Sequence, residues 1–179
     1  KKKFRMYFAG RLDEWKGIEI LMKVFKRINS FNNKIVLNIY GDGSEKKKII
    51  DFININNLRE NVFLHKPLTQ KDYLKQIKKN DLLIFPTLRD SGGYVILEAL
   101  NNNIAVISTN AGGPKTIVTK NSLGIVDVKN NSRSKIIELF EKKIKKYYLN
   151  SSKVSVSLNK NILINKKYNR IYKMSNDKL

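Results

Sequence analysis

The sequence predicts a doubly wound α/β fold, a Rossmann-like parallel sheet of about six strands, and three observations predict it. Short apolar runs alternate along the chain with stretches whose apolar residues recur at helical spacing. Each run is stopped by glycine, proline or a polar cluster, as buried strands are. Polar, mostly glycine-bearing turns follow the first, second, fourth and fifth runs, which places them at one end of the sheet. That end is where open sheets of this class hold ligands.

Arg5 to Ala9 reads as the first strand, ended by Gly10 and a polar loop carrying Arg11 and Lys16. Ile18, Leu21, Met22, Val24, Phe25 and Ile28 then mark a helix. Lys34 to Tyr40 is the second strand, stopped by Gly41-Asp42-Gly43. Ser44 is placed to cap a helix reaching about Asn56. Asn61 to Leu64 is the third strand, and a basic helix runs from Thr69 or Gln70 to Lys79. Asp81 to Pro86 is the fourth strand, and Ile104 to Ser108 the fifth. Proline suits a first helical position, so a short helix is expected over Pro114 to Thr119. Leu123 to Val128 is a sixth strand, followed by a helix from Ser132 or Ser134 to about Tyr148. A polar break precedes a last helix, Leu158 to Met174, and a tail, Ser175 to Leu179, expected to be disordered. The domain plan is therefore one ligand-binding unit over 1–150 and a C-terminal helix and tail over 151–179.

The chain of 179 residues is long enough for one domain with a real core, and 41% of it is hydrophobic. It has no cysteine, which removes disulfide scaffolds and thiolate metal sites and permits a reducing compartment. No apolar run approaches membrane-spanning length, and nothing resembles a signal peptide. The start at Lys1-Lys2-Lys3, close to the first strand, is expected of a fragment of a longer protein. The formal charge is +21. One reading is attraction to anions, a membrane surface or phosphate before nucleic acid. The other is codon bias, since heavy use of Lys, Asn and Ile together marks an AT-rich genome.

The chemistry converges on Asp90-Ser91-Gly92-Gly93-Tyr94-Val95-Ile96-Leu97-Glu98. A strand, a glycine turn and a helix start make an anion site, because the first-turn N–H groups have no partner within the helix and the helix dipole favours negative charge there. Asp90 and Glu98 flank that turn. Carboxylates do not suit phosphate, but both accept hydrogen bonds from hydroxyls, which suggests a sugar nucleotide as the ligand. Glu98 lies among apolar neighbours, so it needs a partner. His65 is expected to be a satisfied loop residue, and Trp15 to pack beside Lys16. No His or Cys cluster and no Asp-any-Asp pair after a strand supports a metal.

Taken together, Gly10-Arg11-Leu12 with Lys16-Gly17, Gly41-Asp42-Gly43, Pro86, the two carboxylates with seven residues between them, Glu98-Ala99 and Gly112-Gly113 resemble a known family in order and spacing. The chain is similar to the C-terminal, donor-binding domain of retaining GT-B glycosyltransferases, glycosyltransferase family 4. The resemblance covers roughly Tyr7 to Asp127. It implies that Arg11 and Lys16 neutralise the donor diphosphate and that the turn at Gly92, Gly93 and Tyr94 meets its distal phosphate. It implies that Glu98 accepts from the ribose, that Asp90 holds the transferred sugar, and that Gly10, Gly41 and Gly43 border the ligand. Four positions depart from the family. Asp90 stands for the usual glutamate, Asn103 for a glycine, Ala105 for a proline and Thr116 for a glutamate.

The function so implied is sugar transfer from a nucleoside diphosphate sugar, a UDP-sugar by preference, without metal or other cofactor. The acceptor is expected to be a lipid-linked saccharide in O-antigen or capsule synthesis, bound by an N-terminal domain preceding Lys1. The isolated fragment is then expected to bind nucleotide and to be inactive. The location is cytoplasmic, with the anionic inner face of the cell membrane as a partner surface and no nucleic acid expected. The rival readings are another GT-B enzyme, a phosphorylase or nucleotide-sugar epimerase, and a non-enzymatic basic module binding nucleic acid.

Overall fold

A computed structural model describes residues 3–117 and 124–151. In chain order these residues form β1 (Arg5–Ala9), α1 (Ile18–Phe31), β2 (Val36–Tyr40), α2 (Lys46–Ile55), β3 (Val62–His65) and α3 (Gln70–Ile77). They continue through β4 (Leu82–Phe85), α4 (Tyr94–Asn101), β5 (Ala105–Thr109), α5 (Pro114–Ile117), β6 (Gly124–Val126) and α6 (Arg133–Ser151). The six strands form one sheet in the order β3-β2-β1-β4-β5-β6, and every pairing is parallel. This is the doubly wound, Rossmann-like arrangement that the alternation predicts.

Parallel strands covered on both faces read as continuous apolar runs, and the central strands do so here. All four residues of β4 and all five of β5 are buried. Phe8 of β1 stacks on Phe85 of β4 with centroids 6.0 Å apart, a contact worth about 1 kcal/mol beyond its burial. One face is closed by α1 and α6, through Leu21, Val24, Phe25 and Ile28 on the first and Ile136, Phe140 and Ile144 on the second. Ion pairs Arg27–Glu141 and Arg133–Glu19 run along that seam, but their exposure makes each a minor contribution.

Most element boundaries differ from expectation by a few residues, and the reasons are local. Helix α1 continues to Phe31 because nothing in Asn29-Ser30-Phe31 breaks it, and Asn32 N–H closes the end on Ile28 O at 2.9 Å. Ser44 does not cap α2. Its hydroxyl bonds Asp13 Oδ1 at 3.2 Å instead, and Glu45 takes the N-cap position with helical backbone and no side-chain cap. Thr69 does cap α3, accepting from Asp72 N at 3.2 Å. Asn103 adopts φ +56°, a left-handed conformation that asparagine tolerates. The expected helix Leu158 to Met174, the tail Ser175 to Leu179, and the ends of α5 and β6 at Val118, Thr119 and Leu123 lie outside the described residues.

The topology also fixes where a ligand can go. β2 lies to one side of β1 and β4 to the other, so the loops after β1 and β4 leave the sheet in opposite directions and open a crevice at the carboxyl edge.

Candidate functional site

The loops at this edge are stitched together by backbone hydrogen bonds. Gly10 N–H donates to Tyr40 O at 3.0 Å, Leu12 N–H to Asp42 O at 2.9 Å and Glu45 N–H to Leu12 O at 2.7 Å. These bonds zip the loop after β1 to the loop after β2. The same β1 loop reaches β4 on its other side, where Leu88 N–H donates to Trp15 O at 2.8 Å. Gly17 makes that approach possible. It sits at φ +73°, and a Cβ there would run into the carbonyl of Pro86. In the loop after β5, Gly113 N–H donates to Asp90 O at 2.9 Å, and Gly112 at φ +62° lies too close to the same carbonyl for a side chain. Buried Thr109 adds a hydroxyl bond to Thr87 O at 2.5 Å.

Two cavities lie among these loops. The first, of about 320 Å³, is lined among others by Gly10, Arg11, Gly41, Tyr73 and Glu98. The second, of about 550 Å³, is lined by Trp15, Lys16, Arg89, Asp90 and Ser91. Of the sequence-predicted residues, Gly10, Arg11, Gly41 and Glu98 line the first and Lys16 and Asp90 the second, while the turn at Gly92, Gly93 and Tyr94 lines neither. Gly43 lines neither cavity; its N–H bonds Asp42 Oδ1 at 2.9 Å, and it serves the turn.

Asp90 is held more tightly than the sequence suggests. Its Oδ1 accepts from Gly92 N at 3.0 Å and Gly93 N at 2.7 Å, and its Oδ2 accepts from Lys16 Nζ. Burial pushes its carboxyl up, but the ammonium and the two N–H groups outweigh that and hold it below the ordinary aspartate range. The carboxylate therefore serves the start of α4 as an internal anion, and Lys16 faces it rather than open solvent. Tyr94, the first residue of α4, is 52% exposed.

Glu98 lies one to two turns into α4 and is 9% exposed. The partner its setting demands is Gln70, whose Nε2 donates to Glu98 Oε1 at 2.9 Å. Burial still pushes the Glu98 carboxyl above the ordinary glutamate range. Tyr7 and Tyr73 lie close by with buried hydroxyls, and that of Tyr73 faces both Tyr7 and the Glu98 carboxylate. Burial, with the charge of Glu98, pushes both phenols far up, so they stay protonated donors.

Arg11 keeps a largely exposed side chain, tethered by Nε to Asp13 Oδ2 at 2.7 Å and lying 5.8 Å from the Trp15 ring centroid. Asp13, buried to 3% exposure, was missed by sequence reasoning. It organises the loop by holding Arg11 on one oxygen and Ser44 on the other. The segment Lys66-Pro67-Leu68 with Gln70 was missed as well, although it lines the first cavity. The signal was available: it follows β3 and leaves the sheet at the same carboxyl edge as the other loops. His65 bonds Asn38 Oδ1 through Nε2 at 2.8 Å and stacks on Tyr40, a satisfied residue, and burial lowers its basicity. Among the described residues no group of three or more His, Asp or Glu side chains could hold a metal ion.

Comparison with known proteins bears out the fold and gives the family. The family model for glycosyl transferases group 1 matches residues 1–162. An uncharacterized glycosyltransferase of Methanocaldococcus jannaschii is 36% identical over 119 residues, 66% of this chain and 29% of that protein. An uncharacterized protein in the cps region of Klebsiella pneumoniae is 26% identical over 141 residues, 79% of this chain and 37% of that protein. The chain thus spans about a third of the length of such relatives. The structure of the pneumococcal O-GlcNAc transferase GtfA in complex with UDP and GlcNAc superposes with a TM-score of 0.75 at 18% identity. That match covers 84% of this chain and 30% of GtfA. The C-terminal domain of a glycosyl transferase group 1 family protein, LpcC of Francisella tularensis, superposes with a TM-score of 0.69 at 16% identity, over 84% of this chain and 77% of that domain. With a matched family model over most of its length and the corresponding sheet and loops, this chain belongs to the glycosyl transferases group 1 family.

Proposed function

We propose that the chain is the donor-binding half of a retaining, metal-independent glycosyltransferase that takes a nucleoside diphosphate sugar, a UDP-sugar by preference. One observation carries the reading. Arg11 and the buried carboxylate of Glu98 line one cavity at the sheet edge, and Lys16 and Asp90, which holds the start of α4, line another. A diphosphate suits the two cations, and a ribose suits Glu98. Arg11 and Lys16 then stabilise charge developing on the leaving diphosphate, a purely electrostatic form of catalysis. Asp90 orients the transferred sugar through its hydroxyls once the donor draws Lys16 toward phosphate.

The likeness to the LpcC C-terminal domain supports placing this unit second in a two-domain enzyme, with the acceptor bound by a preceding domain. The bound UDP of GtfA supports uridine as the base. The cps-region relative supports a saccharide acceptor in surface polysaccharide synthesis, O-antigen or capsule. The +21 charge suits a peripheral enzyme at the anionic inner face of a membrane, acting on a lipid-linked acceptor. Among the described residues no helix is long and apolar enough to cross a membrane.

The test is calorimetric titration of the chain with UDP, GDP, ADP and their sugar forms, beside Glu98→Ala and Asp90→Ala. The expected result is that one nucleotide binds, that Glu98→Ala weakens even the bare diphosphate, and that Asp90→Ala weakens the sugar form selectively. Binding of polynucleotide with indifference to every nucleotide sugar would replace this reading with a basic nucleic-acid module.

A further inference from the structure

We propose that Gln70 is a positioning residue for Glu98, fixing one carboxylate oxygen so that the other is presented to a hydroxyl of the bound ligand. The identity of that ligand rests on the donor-site reading above; the action of Gln70 on Glu98 does not.

The geometry begins with the start of α3. Thr69 accepts from Asp72 N at 3.2 Å, and its hydroxyl donates to Asp72 Oδ2 at 2.8 Å, so the first turn is closed around residue 70. Gln70 therefore leaves the helix from a fixed point and reaches across to α4, where Nε2 meets Glu98 Oε1 at 2.9 Å. Gln70 and Glu98 line the same cavity of about 320 Å³, together with Gly10, Arg11 and Gly41.

The donor type matters. The chain has 36 Lys and Arg residues, yet a neutral amide engages this buried carboxylate. A cation would neutralise Glu98, and a guanidinium would engage both of its oxygens. An amide orients one oxygen and leaves the negative charge available to a ligand hydroxyl. The buried phenols of Tyr7 and Tyr73 stay protonated and neutral, that of Tyr73 facing the Glu98 carboxylate, so neither supplies a positive charge. The charged groups facing the cavity from other elements are Arg11 after β1, Asp42 after β2 and Lys66 after β3.

A hydroxyl donates to the ionised carboxylate, so ligand affinity falls as pH drops through the Glu98 pKa. The bond from Gln70 lowers that pKa against the rise caused by burial. Without Gln70 the acid limb of binding must move to higher pH. The experiment uses the full 179-residue chain with Gln70→Met, close in volume but without a donor, and Gln70→Ala as the second variant. Glu98 is titrated by carbon NMR, and binding of UDP is compared with 2′,3′-dideoxy-UDP. The expected result is a raised Glu98 pKa, about tenfold weaker UDP binding with an acid limb at higher pH, and unchanged dideoxy-UDP binding. Gln70→Met is expected to have no effect in a Glu98→Gln background. An unmoved Glu98 titration, or equal losses for both nucleotides, overturns the proposal. Failure of the unaltered chain to bind UDP would instead count against the donor-site reading, and the Glu98 titration would still decide the role of Gln70.

Discussion

At the scale of single residues, Glu98 shows how one group is held between stability and binding. Its carboxyl lies above the ordinary range because burial penalises the charge. A raised carboxyl contributes stability that is fully present below its unfolded value, 4.5 here, and is lost as pH rises through the folded value. Glu98→Gln therefore melts a few degrees higher than the unaltered chain at neutral pH, with the gain vanishing near pH 4, about 1 kcal/mol of stability in a domain of this size. The same variant binds UDP about tenfold more weakly. Thermal melts across pH beside calorimetry check both, and a variant no more stable at neutral pH would refute the account. Gly17 supplies the opposite case. Its φ of +73° and the facing Pro86 carbonyl leave no room for a methyl group. Gly17→Ala should cost about 2 kcal/mol or more, read as a lower denaturation midpoint.

At the scale of elements, the start of α4 is shared by three loops. Asp90 occupies the N–H groups of Gly92 and Gly93 and binds Lys16, while its own carbonyl anchors Gly113. Lys16→Ala removes the cation from a carboxylate whose side chain is 9% exposed. The expected cost is about 1–3 kcal/mol in chemical denaturation, together with at least tenfold weaker UDP binding. Asp90 has a lowered carboxyl, so its stabilisation is present above the unfolded value of 3.8 and is lost as pH falls through the folded one. Asp90→Asn should accordingly flatten the acid limb of the stability profile below about pH 4. An acid limb identical to that of the unaltered chain would show that the contact with Lys16 is not formed in solution.

At the scale of the whole molecule, the net charge of +21 makes long-range attraction to anionic surfaces a measurable property. Sedimentation with vesicles rich in anionic lipid should show binding at about 50 mM salt that is largely lost by about 300 mM, because the screening length shortens to below 10 Å. Binding to neutral vesicles at the same level would remove electrostatics as the cause. The fold positions the site but does not by itself set the chemistry. What this sheet contributes is a carboxyl edge on which loops from β1, β2, β3, β4 and β5 meet.

The sequence by itself determined the element order, the parallel sheet and the end of the sheet that carries the site, because apolar periodicity and glycine punctuation are local signals. It also showed that Glu98 needed a partner, since a carboxylate among Ile96, Leu97, Ala99 and Leu100 cannot stay unsatisfied. Only the tertiary structure decided which partner. Gln70 is 28 residues away on a helix whose placement depends on how α3 lies against the sheet. Asp13 escaped notice for the same reason, being one of many charges in sequence and a buried one only after the loops after β1 and β2 close on each other. The contact of Asp90 with Lys16 spans 74 residues and exists because β1 and β4 are neighbours in the sheet. Periodicity reports which face of an element is buried; pairing between distant polar groups is fixed by sheet order and loop closure, and no local pattern encodes either.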